Sequence, residues 1–122
     1  RQTSVLMDCP SGQCIFTVST QMVPYQKMIF CGEKKKLEIE IPFNAPNNRA
    51  TNIFIDEGGL PALNPEQIAF EACDQYAIQG ERFSQAILDD TEVPVSLENA
   101  YANTAVIEAV FESAAKGEWI SI

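Results

Sequence analysis

The chain has 122 residues, 46% of them hydrophobic and 20% charged, which is the balance of a globular domain long enough to bury one core and not that of a disordered segment. Its net charge of -9, with only eight basic residues, repels phosphate backbones and anionic bilayers, so nucleic acid and membrane are excluded as expected partners. No apolar run approaches the ~20 residues of a membrane span, and histidine is absent altogether. The chain opens on Arg1 with no initiator methionine and no signal peptide, which leads us to expect a fragment or processed form of a cytoplasmic protein.

In chain order, strands come first. Residues 4–9 (SVLMDC) and 14–20 (CIFTVST) are rich in β-branched and aromatic side chains, and Pro-Ser-Gly-Gln between them suits a tight hairpin. A second hairpin pairs 25–31 (YQKMIFC) with 36–41 (KLEIEI) around Gly32, Glu33, Lys34 and Lys35. In KLEIEI, Leu37, Ile39 and Ile41 alternate with Lys36, Glu38 and Glu40, which predicts one buried and one polar face. Residues 52–57 (NIFIDE) read as a strand. A loop GGLPALNP and a short strand IAFEA follow.

Beyond Cys73 the apolar period changes from two to about 3.6. Asp74 is an expected N-cap, and Tyr76, Gly80, Phe83 and Ile87 fall on one helix face. Gly80 in a helix interior costs ~1 kcal/mol relative to alanine, which implies close approach of another backbone. After a turn at Asp89 and Asp90, Ser96 caps a last helix with Glu98 in its first turn. Its expected buried stripe is Val106, Ile107, Val110, Phe111 and Ala114, with Lys116 and a C-capping Gly117 at its end. The closing residues EWISI read as a strand. This order predicts a single α+β domain over 1–122, a mainly antiparallel open β-sheet with two helices packed on one face and the other face left for a partner.

A search for chemistry is mostly negative. Cys9 and Cys14 flank a turn and can be drawn as a bridge, but Cys9, Cys14, Cys31 and Cys73 all sit in apolar-alternating stretches, where reduced, buried thiols are the preferred reading. Their spacing matches no zinc pattern. No phosphate-binding glycine loop opens a helix, and without histidine no Ser-His-Asp or Cys-His set can form. Asp89, Asp90 and Glu92 read as a solvated turn. No catalytic, cofactor-binding or metal-ligating residue is therefore assigned.

Four segments in order, MDCPSGQCIFTVST, GEKKKLEIEIPFNAP, DQYAIQGERFSQAI and VIEAVFESAAKGEWISI, together resemble the C-terminal domain of the Gfo/Idh/MocA oxidoreductases, the glucose-fructose oxidoreductase and inositol dehydrogenase family. The resemblance implies a dihydrodipicolinate reductase-like C-terminal domain. It also implies a two-domain parent whose N-terminal Rossmann domain, missing here, binds NAD or NADP and supplies a Glu-Lys-Pro lysine. An Asp/His pair is likewise expected upstream of Arg1. The cofactor would carry the redox step, and a sugar, inositol or related polyol would be the substrate. By itself the chain is expected to bind no cofactor and to be inactive, and to self-associate through its open sheet face as dimer or tetramer.

In relatives the helix that begins near Asp74, Gln75 and Tyr76 runs by the domain interface, so a Tyr76 hydroxyl or Gln75 amide can meet a polyol. The plainer reading makes Asp74 a cap and Tyr76 core. Arg49 and Asn44, in the PFNAP loop, are the other substrate-binding candidates. The alternative to this reading is an independent, self-associating α+β interaction module without a redox role.

Overall fold

The computed structural model describes residues 2–59 and 64–122, so the opening Arg1 and the Leu60 to Leu63 part of the GGLPALNP loop lie outside the described residues. The architecture is α+β, with antiparallel strands throughout and two helices after them, in the expected order. The chain forms two compact units, one of residues Val23–Glu81 and one that joins the segment ending at Met22 to Arg82–Ile122.

The Val23–Glu81 unit is built on a four-stranded open sheet. Its strands are β3 (Met28–Cys31), β4 (Lys36–Ile39), β5 (Thr51–Asp56) and β6 (Glu66–Phe70), hydrogen-bonded in that order. Strand β4 pairs Leu37 with Phe30 on one side and Ile55 on the other, and Ile39 with Met28 and Ile53. Ile68 and Phe70 of β6 extend the same rows opposite Ile53 and Thr51. Because residues directly opposite share a face and successive ones alternate, one side of the sheet is an apolar field of Met28, Phe30, Leu37, Ile39, Ile53, Ile55, Ile68 and Phe70. Phe30 and Phe70 on it are exposed.

The opposite side carries the polar members of the same strands. Lys36 stands opposite Asp56 and pairs with it at 3.6 Å. Lys27 reaches diagonally to Glu38, and that hydrogen bond, with the carboxylate charge, raises the Lys27 pKa above the ordinary lysine value. Gln67 Nε2 donates to Asn52 Oδ1 at 2.8 Å, and Asn52 Nδ2 donates to Glu40 Oε2 at 2.8 Å, a chain that crosses three neighbouring segments. The continuous apolar field is thus on one side, while on the other Ile29, which is exposed, and Phe54 stand among the polar groups. At the β3–β4 turn Gly32 N–H donates to Lys35 O at 2.9 Å, and a Cβ at Gly32 would come within 3.3 Å of that oxygen.

The second unit contains a hairpin of β1 (Gln2–Cys9) and β2 (Gly12–Ser19). Its turn is tighter than expected. Cys9 pairs with Gly12 and Asp8 with Gln13, so Gly and Gln continue the ladder and only Pro10 and Ser11 turn the chain. Cross-strand side-chain bonds reinforce this register: Ser4 Oγ and Thr17 Oγ1 lie 3.0 Å apart, and Gln13 Nε2 donates to Asp8 Oδ1 at 3.3 Å.

Helix α1 (Gln75–Leu88) starts as the sequence predicts, with Asp74 Oδ1 accepting from Tyr76 N–H at 3.0 Å and Ala77 N–H at 3.1 Å. It ends in a left-handed residue. Thr91 N–H donates to Ala86 O at 2.9 Å and Asp90 N–H to Ile87 O at 3.4 Å, with Asp90 at φ 51°, the Schellman pattern with aspartate where glycine is usual. Helix α2 (Leu97–Lys116) is capped by Ser96, whose Oγ accepts from Asn99 N–H at 3.2 Å, and by Gly117 at φ 71°, whose N–H donates to Ser113 O at 2.8 Å.

Several sequence expectations are corrected. All four cysteines are exposed and unbridged, not buried; Cys9 faces Gly12 and Cys14 faces Met7, so the two thiols are diagonal neighbours. Residues 118–122 form no strand: an extended segment becomes a strand only when a neighbour completes its ladder, and Ser113 Oγ instead holds Glu118 O at 2.6 Å. The last expected strand before α1 begins earlier, at Glu66, and stops at Phe70. Helical spacing overestimates burial. Ala86 is the buried member of α1, whereas Tyr76, Phe83 and Ile87 are exposed; on α2 the half-buried row is Ala105, Val106, Ala109, Val110 and Ser113, with Ile107, Phe111 and Ala114 outside it. Among the described residues a Cβ at Gly80 would meet nothing within 4 Å, so the close approach expected there is not seen among them.

Two outcomes follow from these helices. Gly80→Ala, which meets open space, is expected to stabilise the chain by about 0.5–1 kcal/mol in urea unfolding; a loss of stability would show that another group approaches there in solution. Glu98, exposed in the first turn of α2, has its carboxyl held below the usual range by its own backbone N–H and by the Ser96 hydroxyl. A depressed folded pKa gives stability that is complete above the unfolded value of about 4.3 and is lost as pH falls through the folded value. Glu98→Gln should therefore flatten the loss of 222 nm helix signal below about pH 4, and an unchanged acid limb would contradict this role.

Candidate functional site

At one end of the four-stranded sheet, the segment entering β3 meets the long connection between β4 and β5. Gln26 makes the junction. Its Oε1 accepts from Phe43 N–H at 3.2 Å and Asn44 N–H at 3.1 Å, so one side-chain carbonyl satisfies two successive loop amides. From the other direction Gln75, at the start of α1, donates its Nε2 to Phe43 O at 3.1 Å. The loop after β4 is short of ladder partners once Glu40 N–H has bonded Asn52 O at 3.1 Å, and these two glutamines supply what the ladder no longer can.

The result is an open concavity of about 300 Å³. Pro24, Tyr25 and Gln26 form one wall. Ile41, Asn44, Pro46 and Arg49 form the other. The two prolines and Ile41 give it rigid apolar sides, while Tyr25, Gln26, Asn44 and Arg49 contribute polar groups. Among the described residues no carboxylate lies within ion-pairing distance of Arg49, although Lys27, Lys35, Lys36 and Lys116 each have an acidic partner.

The five sequence candidates separate at this point. Asn44 and Arg49 line the concavity. Gln75 does not line it but is bonded to Phe43, next to Asn44. Asp74 spends Oδ1 on capping α1. Tyr76 is 68% exposed, neither the core residue of the plainer reading nor a lining residue of this concavity. Sequence reasoning missed Tyr25 and Gln26, which were read as strand residues; the strand begins only at Met28. Pro24 before them was the available signal, since proline favours an irregular approach to a strand.

No metal-binding group of three or more His, Cys, Asp or Glu is present among the described residues. The carboxylates of the region are engaged elsewhere, Glu38 with Lys27, Glu40 with Asn52 and Asp56 with Lys36. No described helix is long and apolar enough to cross a membrane. The concavity can therefore hold and orient a polar small molecule through neutral amides, a phenol and one cation, and it presents no carboxylate, lysine or histidine as a general base.

The chain is similar to an uncharacterized oxidoreductase, ORF334, of Rhizobium meliloti, with 32% identity over 124 residues. The match covers the whole of this chain and 37% of the relative, so the chain spans little more than a third of the length of the curated protein it matches. No family model matches the chain, and no solved structure matches it.

The Gln26 bridge carries a direct test. Gln26→Ala leaves Phe43 and Asn44 amides without their acceptor, and a lost hydrogen bond of this kind costs about 1 kcal/mol. Amide hydrogen exchange at Phe43 and Asn44 is expected to speed up by about fivefold or more, with β4 and β5 amides unaffected. Equal acceleration across both strands would mean that the glutamine supports the sheet instead of the loop.

Proposed function

We propose that this chain is the C-terminal, substrate-side domain of an NAD(P)-dependent oxidoreductase of the Gfo/Idh/MocA type, acting on a sugar, inositol or related polyol. The observation that carries the reading is the end-to-end similarity to part of a protein named an oxidoreductase. It agrees with the four segments that resemble the family and with a concavity rich in neutral hydrogen-bonding groups, the kind that pair with hydroxyls.

In this reading hydride passes between a substrate carbon and the nicotinamide, and NAD or NADP is held by a Rossmann domain outside this chain. Asn44 and Arg49, with Tyr25 and Gln26, bind the polyol; Gln75 acts through Phe43 to fix the loop. On this reading the chain alone binds no dinucleotide and is inactive. Self-association through the apolar side of the four-stranded sheet, whose Phe30, Ile68 and Phe70 are exposed, belongs to the same proposal. That exposed field also favours the second reading, a self-associating interaction module without redox role.

Coding sequence upstream of Arg1 separates the two. The oxidoreductase reading expects a strand, a Gly-rich turn and a helix, then a Glu-Lys-Pro motif, and the longer product should reduce NAD or NADP with a polyol. The isolated chain should give no saturable enhancement of NADPH fluorescence and, in light scattering at micromolar concentration, a mass of at least twice 13.5 kDa. A longer product that lacks the dinucleotide motif and turns over no polyol would leave the interaction module as the surviving reading.

A further inference from the structure

We propose that the concavity beside Arg49 takes a polyhydroxy carboxylate, an aldonic- or uronic-acid type of ligand, in preference to a neutral polyol. The proposal deepens the oxidoreductase reading and rests on it for the polyhydroxy part. The carboxylate part rests on the site itself.

Charge is the first argument. In a chain of net charge -9, the lining of this concavity contains one cation and no anion. Among the described residues Lys34, Arg49 and Arg82 have no ion-pair partner, and of these three Arg49 lines the concavity. The planar fork of a guanidinium matches the two oxygens of one carboxylate. One such fork neutralises a carboxylate monoanion in full and a phosphate dianion only by half.

The neighbouring groups add hydrogen-bonding capacity of both kinds. Gln26 has committed its Oε1 to the amides of Phe43 and Asn44, which fixes the side-chain amide with its Nε2 protons as the remaining, donating end. Asn44 offers both a donor and an acceptor, and the Tyr25 hydroxyl does the same. A ligand that meets one cationic fork and several hydroxyl-type partners within about 300 Å³ is a small acid bearing hydroxyls. The prolines and Ile41 give the C–H side of such a molecule an apolar wall.

The test is a titration of the 122-residue chain with gluconate, followed by calorimetry and by NMR shifts of the Arg49 Nε and the Asn44 and Gln26 side-chain amides. Saturable gluconate binding that weakens with added salt is expected, with sorbitol, the neutral counterpart, at least about tenfold weaker. Arg49→Gln should lose at least about tenfold in gluconate affinity and leave any weak sorbitol affinity unchanged, while Arg49→Lys, which keeps charge but not the fork, should recover part of it. Asn44→Ala, which preserves the backbone N–H held by Gln26, should weaken both ligands. Amide spectra of each variant establish that it is folded. No gluconate binding, equal affinity for sorbitol, an Arg49→Gln variant that binds as before, or inorganic phosphate displacing gluconate at equal concentration would each overturn the proposal. Turnover by the longer product on neutral polyols is read separately, so failure here and failure of the oxidoreductase reading are distinguishable.

Discussion

The register of β4 is the constraint on which the rest of its unit depends. Its four residues alternate Lys36, Leu37, Glu38, Ile39, and the two apolar ones have apolar partners on both neighbours, Phe30 and Ile55 for Leu37 and Met28 and Ile53 for Ile39. A slip of one residue would turn Leu37 and Ile39 away from the apolar rows and carry Lys36 and Glu38 into them. The true register is reinforced from both sides of the sheet at once. Apolar rows align on one side, and the Lys27–Glu38 and Lys36–Asp56 pairs align on the other. Exposed ion pairs add little to stability individually, but like-charge contacts in a shifted register are unfavourable, so they add to its discrimination.

That register also determines where the candidate site can exist. Strand β3 starts at Met28 opposite Ile39, which leaves Pro24–Gln26 and the segment from Ile41 onward projecting past the same end of the ladder. Both segments contain prolines, which cannot donate to a ladder, and so they diverge from strand geometry at the place where Gln26 bridges them. Arg49 and Asn44 come within one concavity because the connection returns to start β5 at Thr51. The sheet supplies the rigid support; the glutamine and the prolines give the loop its shape.

Much of the fold was legible because its signals are local. Alternation in KLEIEI, the Gly32–Lys35 turn, the Asp74 and Ser96 caps and the Gly117 stop all reappear with the expected bonds. What failed depends on distant partners. A 3.6-residue period states which side chains share a helix face but not whether anything covers them, hence the exposed Phe83, Ile87 and Phe111. The same reasoning accounts for the unformed strand at EWISI and for the exposed cysteines, whose apolar neighbours do not enclose them. Of the site, Asn44 and Arg49 were legible as loop residues, whereas Tyr25 and Gln26 were concealed inside an apparent strand. Gln26 acts through a side-chain carbonyl 17 residues away from its partner Phe43, a relation that leaves no periodic trace.

The chemistry of the described residues has a consistent division. Carboxylates are used structurally: Asp74 caps, Asp89 accepts from Gln85 Nε2 at 2.8 Å, and Glu38, Glu40, Asp56, Glu57 and Glu112 hold lysines or an amide. The concavity, by contrast, is lined by no carboxylate, and its hydrogen-bonding residues are Tyr25, Gln26, Asn44 and Arg49. Arg49 is the exception in charge though not in reactivity: it can select a ligand by its anion, but its permanent cation cannot serve as a base. Under the proposed function specificity and reaction are therefore separable, and substitutions at Arg49 or Asn44 should alter which ligand is held before they alter how fast any bound ligand reacts.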